Sequence, residues 1–409
     1  MFGMSITSVS SIISKNKKLS APSYTLSQMA PLSGIGGNVN VYMNDSATRI
    51  YMSVSTGNVY AGNVISNTWT QATLASGSAG ILTNRDFFNI VCDGTGQYVI
   101  TCVRTSGGGG NGVVFYSSDY GATFTMSDSS INTHCFNLAM SSNGNHAYLT
   151  TWGEHNPVIN NVTSGIAALY KSTDKGVTWT ALNLSANGYT YSSLPCQVKC
   201  NSTGEYVSLA FWKQIQNCVM LSNYGTTILF EGAKANYGYI NSNPGTFTNA
   251  GNPAVRALCL NRQVGRAYTQ INKLGVYTTS PFSSAFGTYT GNPTIFNTPY
   301  AGANTDFPWL GSRIMASTVD FNTVICTDTG QHGNTASYGN VYLCSNGMAQ
   351  LAWFSTAGLS NGQTNWTNFT AAQSIPKAAW SGLCVNYNDS FAFANSVGNV
   401  YIYSKPVIV

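Results

Sequence analysis

Hydrolytic chemistry needs titratable side chains held a few ångströms apart, and this chain of 409 residues has few: thirteen carboxylates and four histidines. Asp119 and Asp174 lie in two copies of one turn pattern, and Asp45, Asp93, Glu205 and Asp389 sit in polar turns between apolar runs. That leaves Asp86, Asp128, Glu154, Glu231, Asp306, Asp320 and Asp328. Glu154 and Asp328 are the best placed for acid/base work, each just past an apolar run at the start of a long loop. His155 and His332 stand in the same loops, while His134 and His146 fall at a strand start and a turn. No His-x-x-x-His or Cys-x-x-Cys spacing occurs, so neither a metal nor a cofactor is expected. Stacking is the other available chemistry. Trp152 and Trp212 end apolar runs and Trp309 lies in a long insertion, where an indole face flanked by Asn and Tyr could hold a sugar ring. The competing role for a tryptophan at a repeated position is packing between sheets, and Trp69, Trp179 and Trp366 are assigned to it.

The elements that would position these residues recur. A small-residue turn followed by apolar or aromatic residues appears at Gly57–Tyr60, Val113–Tyr116, Ala167–Tyr170, Cys218–Leu221, Leu274–Tyr277, Gly339–Tyr342 and Gly398–Tyr401, spaced by about 50 to 65 residues. Before each copy stands an apolar stretch broken by a polar turn, as in NIVCDGTGQYVITCV (89–103) or QVKCNSTGEYVSLAFW (197–212). Two β-branched and aromatic runs around such a turn predict a β-hairpin. A fourth strand is expected at 67–74, 122–128, 177–184 and 364–370, giving four antiparallel strands per repeat.

The turn before that fourth strand carries a motif. SSDYGATF (117–124) and STDKGVTW (172–179) share Ser-x-Asp-x-Gly-x-Thr followed by an aromatic, at Ser117, Asp119, Gly121 and Phe124 and at Ser172, Asp174, Gly176 and Trp179; LSNYGTTI (221–228) is a degraded copy with Asn223 for the aspartate. The pattern resembles the Asp box, or BNR repeat, of sialidase-type β-propellers. The resemblance implies an all-β, seven-bladed β-propeller of four-stranded blades, with the boxes at the blade periphery and structural in role. Only eight residues follow Tyr401, so the last blade lacks an outer strand. SYTLSQM (23–29) is similar to the fourth-strand sequences and is expected to supply it, leaving residues 1–22 as an arm and 23–409 as one domain.

Composition narrows the partners. Only 8% of residues are charged, against about 25% in an average soluble protein, so the surface is built from neutral hydrogen-bonding groups suited to protein or glycan contact. The net charge of +5 owes three units to Lys15, Lys17 and Lys18, which argues against nucleic acid, and no apolar run is long enough to insert in a membrane. Ten cysteines are expected to be buried thiols: Cys92, Cys200, Cys259 and Cys384 fall at nearly the same place in four first strands, and Cys102 and Cys326 in second strands, too far apart to bridge. A Cys196–Cys218 or Cys200–Cys218 bridge stays open. The first residues lack the basic start of a secretory signal, which fits folding in a reducing compartment.

The hairpin formula and its box also resemble the Asp-box repeat proteins of large DNA viruses and phages. The resemblance implies a non-enzymatic structural or attachment protein of a virion, folded in the host cytoplasm, contacting other structural proteins through its arm and a glycan through its loops. The alternatives are a sialidase-like glycoside hydrolase and an intracellular assembly scaffold. A sialidase resemblance would need three clustered arginines and an Arg-Ile-Pro motif, whereas the chain offers Arg313-Ile314-Met315 in its sixth repeat.

Overall fold

The computed structural model describes residues 24–37, 39–55, 57–75, 86–104, 113–127, 131, 134–152, 169–182, 194–212, 218–232, 255–260, 267–271, 275–278, 294–296, 315–317, 323–327, 341–345 and 366–404. The predicted alternation of apolar runs and turns is realised as short antiparallel strands, which among the described residues fall into seven sheets. An N-terminal strand, β1 (Thr25–Gln28), comes first. The first sheet in chain order is β2 (Val39–Met43), β3 (Arg49–Val54), β4 (Asn58–Asn63) and β5 (Thr68–Gln71). The second joins β6 (Thr73–Leu74), β7 (Asp86–Cys92), β8 (Val99–Arg104), β9 (Val113–Ser117) and β10 (Thr123–Met126). The third is β11 (His134–Met140), β12 (Ala147–Trp152), β13 (Leu169–Ser172) and β14 (Thr180–Ala181). The fourth is β15 (Leu194–Cys200), β16 (Val207–Trp212), β17 (Cys218–Ser222) and β18 (Thr227–Gly232). The fifth is β19 (Val255–Leu260), β20 (Ala267–Ile271), β21 (Gly275–Thr278) and β22 (Thr294–Phe296). The sixth is β23 (Met315–Ser317), β24 (Thr323–Thr327), β25 (Val341–Ser345) and β26 (Trp366–Asn368). The last is β27 (Trp380–Val385), β28 (Phe391–Asn395) and β29 (Val400–Ser404), with β1 on its outer edge.

Each sheet is a meander. Its first-to-second and third-to-fourth turns therefore share one end, called here the turn end, and the second-to-third connections share the other, the loop end. Neighbouring sheets touch through their first strands, β2 with β7, β7 with β11, β11 with β15, β15 with β19, β19 with β23, β23 with β27 and β27 with β2. The interiors are buried aliphatic and aromatic side chains sandwiched between sheets. Val41, Ile50, Met52, Ala392 and Ile402 form one cluster, and Tyr51, Phe87, Phe115 and Phe124 part of another.

Several expectations are corrected. The second sheet has five strands: β6 adds in parallel to β10, with Thr73 opposite Thr123 and Leu74 opposite Phe124, and so covers an otherwise open edge. The fourth strand at 177–184 shrinks to the two residues of β14, and that at 364–370 stops at Asn368, where a helical turn, α1 (Phe369–Ala372), buries Phe369 and Thr370. The cysteines divide by register. Cys92 and Cys200 pair with Val99 and Val207, but Cys259 and Cys384 pair with Tyr268 and Ala392, one residue earlier in the repeat and so on the opposite face. Cys92, Cys102, Cys135, Cys200 and Cys384 are buried and in no disulfide, which removes the Cys200–Cys218 alternative; the side chains of Cys196 and Cys218 lie outside the described set. Burial pushes the Cys200 and Cys384 thiols up to about 12, so they behave as small apolar groups.

The two Ser-x-Asp-x-Gly-x-Thr turns are superposable networks. Asp119 accepts from Thr123 N–H at 2.9 Å, Thr123 Oγ1 at 2.6 Å and Ser117 Oγ at 2.7 Å, and Ser117 Oγ accepts from Gly121 N–H at 3.0 Å. Asp174, Thr178, Ser172 and Gly176 repeat the set. Slight burial works against both aspartates, but the threonine and serine hydrogen bonds hold their carboxyls below the ordinary value. Gly121 and Gly176 have φ of 75° and 92°, and a Cβ there would strike Tyr51 or Ile100 of the preceding sheet. Each turn is thus a wedge against its neighbour.

The residue before each of these glycines meets the residue just ahead of the preceding sheet's second-strand core, and the polarity alternates. Arg49 lies 4.2 Å from the Tyr120 ring, Lys175 lies 3.8 Å from the Tyr98 ring, and His146 stacks on Tyr224 at 4.3 Å with Lys171 5.0 Å from the same ring. His146 Nδ1 is buried without a hydrogen-bond partner. Burial, and then the Lys171 charge, lowers its pKa.

Two outcomes are expected. The imidazole is neutral in the fold while the unfolded chain binds a proton near pH 6.5. Its stability contribution is therefore complete above that pH and lost as pH falls below it. Urea midpoints at pH 7.5 and 5.5 will differ more for the wild type than for His146→Gln; equal differences would show that His146 does not titrate at the seam. The second concerns β1, which pairs Thr25 with Ser404 and Gln28 with Tyr401, stacks Tyr24 on Tyr403 at 4.6 Å and buries Met29. Removing residues 1–30 will lower the melting temperature by at least ~5 °C, whereas removing 1–20 will not move it.

Candidate functional site

The turn end is closed by the tips of the first hairpins. Asn44, Asp93, Ser141, Asn201 and Asn386 occupy one register position and are all buried. Each side chain accepts N–H groups of its own turn: Asn44 from Thr48 and Arg49, Asp93 from Tyr98, Ser141 from His146, Asn201 from Tyr206, Asn386 from Asn388 and Ser390. This is why Asn, Asp and Ser recur there.

The next residue of each turn points at the neighbouring sheet. Asp45 N–H donates to Gly94 C=O at 2.9 Å, Gly94 N–H to Ser142 C=O at 2.6 Å and Ser142 N–H to Ser202 C=O at 2.9 Å, a chain of backbone bonds across four sheets. Asp45 links this chain to the last sheet. Its carboxylate accepts from Tyr387 N–H at 3.2 Å and from the Ser142 hydroxyl, and its carbonyl accepts from Asn386 Nδ2 at 3.0 Å and Asn388 Nδ2 at 2.8 Å. Tyr387 then reaches across, its hydroxyl 3.0 Å from the Met140 carbonyl, 3.2 Å from that of Asn201 and 3.3 Å from that of Cys200. Its single proton serves one of these at a time. Burial, with Cys200 and Tyr42 nearby, pushes the phenol pKa well up, and burial does the same to Tyr42. Both tyrosines stay neutral and act as filler with a polar tip.

The loop end is built differently. The first strands of five sheets carry a β-bulge at one register position, Phe88, Phe136, Cys196, Arg256 and Ser381. Beyond the bulge, Asn89, Asn137 and Gln197 pair with Cys102, Thr150 and Ala210, and the equivalent Asn40 of the unbulged β2 pairs with Ser53. Three consecutive sheets therefore carry an asparagine at the same register, and in the fourth Gln197 occupies the equivalent backbone position. Asn137 Oδ1 accepts from Val198 N–H of the next sheet at 3.0 Å, and Ser381 Oγ from Val39 N–H at 2.9 Å. Inner strands have an open edge, and these side chains cover part of it.

The residues singled out for ligand contact distribute unevenly. Trp152 and Trp212 end β12 and β16, opposite His134 and Leu194, at equivalent positions of adjacent sheets and at the loop end; their side chains lie outside the described set. Glu154, Trp309 and Asp328 lie outside the described residues. The carboxylates Asp45, Asp93, Asp119 and Asp174 are all at the turn end and accept hydrogen bonds from their own or adjoining turns. No group of three or more metal-ligating side chains occurs among the described residues. Sequence reasoning missed the shared asparagine position, because a one-residue bulge hides the common register. Pairing Asn40, Asn89, Asn137 and Gln197 by their distance from each hairpin turn would have exposed it.

Hub variants test the turn end. A Cβ on Gly94 would meet the Asp45 carboxylate, the Ser142 hydroxyl and, at 2.9 Å, the Ser142 carbonyl, so Gly94→Ala will cost about 1–3 kcal/mol in denaturant unfolding. Tyr387→Phe, which strands the carbonyls it serves, will cost a similar amount. Two neutral outcomes would show the tips to be independent.

No protein-family model matches the chain, and no curated protein matches it by sequence. Solved structures do resemble it. A GH74 xyloglucanase from Xanthomonas campestris superposes with a TM-score of 0.56 at 12% identity over 92% of this chain and 53% of its own. YCF48 from Cyanidioschyzon merolae gives 0.58 at 12% over 92% and 98%, and a streptogramin B lyase 0.55 at 12% over 94% and 98%. The chain spans about half the length of the xyloglucanase and nearly all of the other two. At such identities the likeness carries the fold alone: the chain has an all-β, propeller-type fold of antiparallel, mostly four-stranded sheets.

Proposed function

We propose that the protein is a seven-bladed β-propeller, its last blade completed by β1, that works as a non-enzymatic structural or attachment module and engages its partners from the loop end. The reading of the ring is supported by the cyclic order of first-strand contacts, from β2 through β27 and back to β2, and by the β1–β29 pairing. One observation carries the functional reading. The carboxylates whose side chains have defined partners are engaged in turn hydrogen bonds at the end the hairpin tips close, so no acid/base pair stands among them. The carboxylates best placed by sequence for catalysis, Glu154 and Asp328, belong to the third and sixth repeats, and Asp86 and Glu231 lie on strands of the second and fourth sheets, whereas a glycosidase pair must lie within about 5–9.5 Å.

Buried thiols among the described residues favour folding in a reducing compartment, and the weakly charged, amide-rich and hydroxyl-rich composition suits contact surfaces exposed afterwards. A virion surface component, bound to other structural proteins through residues 1–22, meets both conditions. The hydrolase reading is favoured by one finding, the likeness to GH74 enzymes in fold, which extends to no residue.

Glycan-array binding and glycosidase assays on one preparation test the proposal. Wild type will show no hydrolysis, Glu154→Gln with Asp328→Asn will leave binding unchanged, and Trp152→Ala with Trp212→Ala will weaken it by about 1–3 kcal/mol. Hydrolysis lost in the carboxylate variant would overturn the proposal.

A further inference from the structure

Three successive seams between sheets are tied to one plan, and the rim contact of the third is the one that titrates near neutrality. Each seam has a tip-to-tip backbone bond: Asp45 N–H to Gly94 C=O between the first and second sheets, Gly94 N–H to Ser142 C=O between the second and third, and Ser142 N–H to Ser202 C=O between the third and fourth. Further out, a basic side chain meets an aromatic ring: Arg49 with Tyr120, Lys175 with Tyr98, and at the third seam His146 with Tyr224. Arginine and lysine stay charged through the neutral and mildly acidic range, so the first two contacts do not change there. Histidine does.

The surroundings of His146 leave no place for an imidazolium. Its ring lies against the Tyr224 ring at 4.3 Å, and the backbone of Gly204 packs on it so closely that an added Cβ there would stand 2.6 Å from the His146 Cβ. Nδ1 is buried with no hydrogen-bond partner. A neutral ring can carry its proton on Nε2 and leave only a lone pair at Nδ1, whereas the charged ring must place an N–H there. Lys171 of β13 stands 5.0 Å from the same Tyr224 ring, so a second cation would have to share it. Glu205 belongs to the facing turn, where its carbonyl accepts the Tyr224 N–H at 2.9 Å. Tyr148 of β12 donates its hydroxyl to Gly204, and Asp93 and Asp45 lie beyond the hairpin tip, against Gly144 and Ser142. None of them gives Nδ1 an acceptor. His146 also closes that tip, its carbonyl accepting the Ser141 N–H at 2.9 Å and its own N–H donating to Ser141 Oγ at 3.0 Å. One residue therefore bears on both ties of the third seam.

We propose that His146 makes the seam between the third and fourth sheets an acid-released joint: protonation parts His146 from Tyr224 and frees the Ser142–Ser202 bond while the first two seams stay closed. The joint is closed when the imidazole is neutral and opens as pH falls below the ordinary histidine value, about 6.5. The opening is local, a step beyond the loss of overall stability expected for this residue. The seam joins the sheets whose second strands end in Trp152 and Trp212, so release alters the spacing of two positions assigned to ligand contact, although the release itself does not depend on that assignment.

Amide exchange on the full chain tests this, compared as protection factors at pH 7.5 and 5.5 so that the intrinsic pH dependence of exchange drops out. Protection of the Ser142 N–H will fall at pH 5.5 at least fivefold more than that of the Asp45 and Gly94 N–H groups, which make the equivalent bonds of the first two seams. A smaller difference, or an equal loss at all three, would overturn the proposal. His146→Gln will bring the change at Ser142 down to that of the other two. It leaves every carboxylate in place, so a fall that persists in this variant would assign the titration elsewhere and overturn the proposal. Should His146→Gln not fold, Lys171→Met supplies the reading: removing the second cation will shrink the fall at Ser142, and an undiminished fall would overturn the proposal.

Discussion

A backbone hydrogen bond from the tip of one hairpin to the tip of the next is the interaction on which the architecture turns. Asp45, Gly94 and Ser142 each donate to the following sheet, and this is possible only because the preceding Asn, Asp or Ser has folded its own turn tightly enough to hold the tip in place. Separate sheets with only apolar faces in common could slide; polar tips with fixed directions cannot without losing buried hydrogen bonds. Asp45 extends the chain to the last sheet by accepting from Tyr387 and Ser142, so residues more than three hundred positions apart in sequence are bound at one point.

The periphery repeats the logic with different chemistry. The Ser-x-Asp-x-Gly-x-Thr turns set a glycine against Tyr51 or Ile100 of the sheet before, and a cation or imidazole lies against an aromatic ring beside it. Tyr51 and Tyr148, on successive odd sheets, donate their hydroxyls to Gly96 and Gly204 of the sheet that follows. Charge is therefore placed where it orders sheets relative to each other, which is why so few charged residues suffice. It also explains why the turn end has no chemistry to spare and why recognition is assigned to the loop end.

Much of the fold was legible because strand periodicity and turn residues are local signals. The tyrosines of Gly57–Tyr60 and Gly398–Tyr401 fall in third strands β4 and β29, and the polar turns at 93–98 and 201–206 join first to second strands as read. What escaped depends on register. Cys92 stands four residues past the bulge at Phe88 and Cys384 three past the equivalent bulge at Ser381, an offset of one residue that a hydrophobic pattern does not mark and that puts the two thiols on opposite faces. The hub escaped for another reason: its bonds are made by backbone atoms of Asp45, Gly94 and Ser142, residues with no type in common. The tryptophans and carboxylates chosen for ligand contact drew attention by chemistry alone, whereas the asparagines are ordinary residues made notable only by their shared level.

Hydrogen–deuterium exchange resolved to single amides tests the central claim most directly. Turn-tip N–H groups on an exposed hairpin exchange within seconds, but those of a buried network between sheets open only with the fold. The N–H groups of Asp45, Gly94, Ser142 and Tyr387 will exchange as slowly as those of the buried strands β3 and β28, while Ile65, at an exposed hairpin tip, exchanges fast. Fast exchange at all four hub amides, with β3 and β28 protected, would contradict the account.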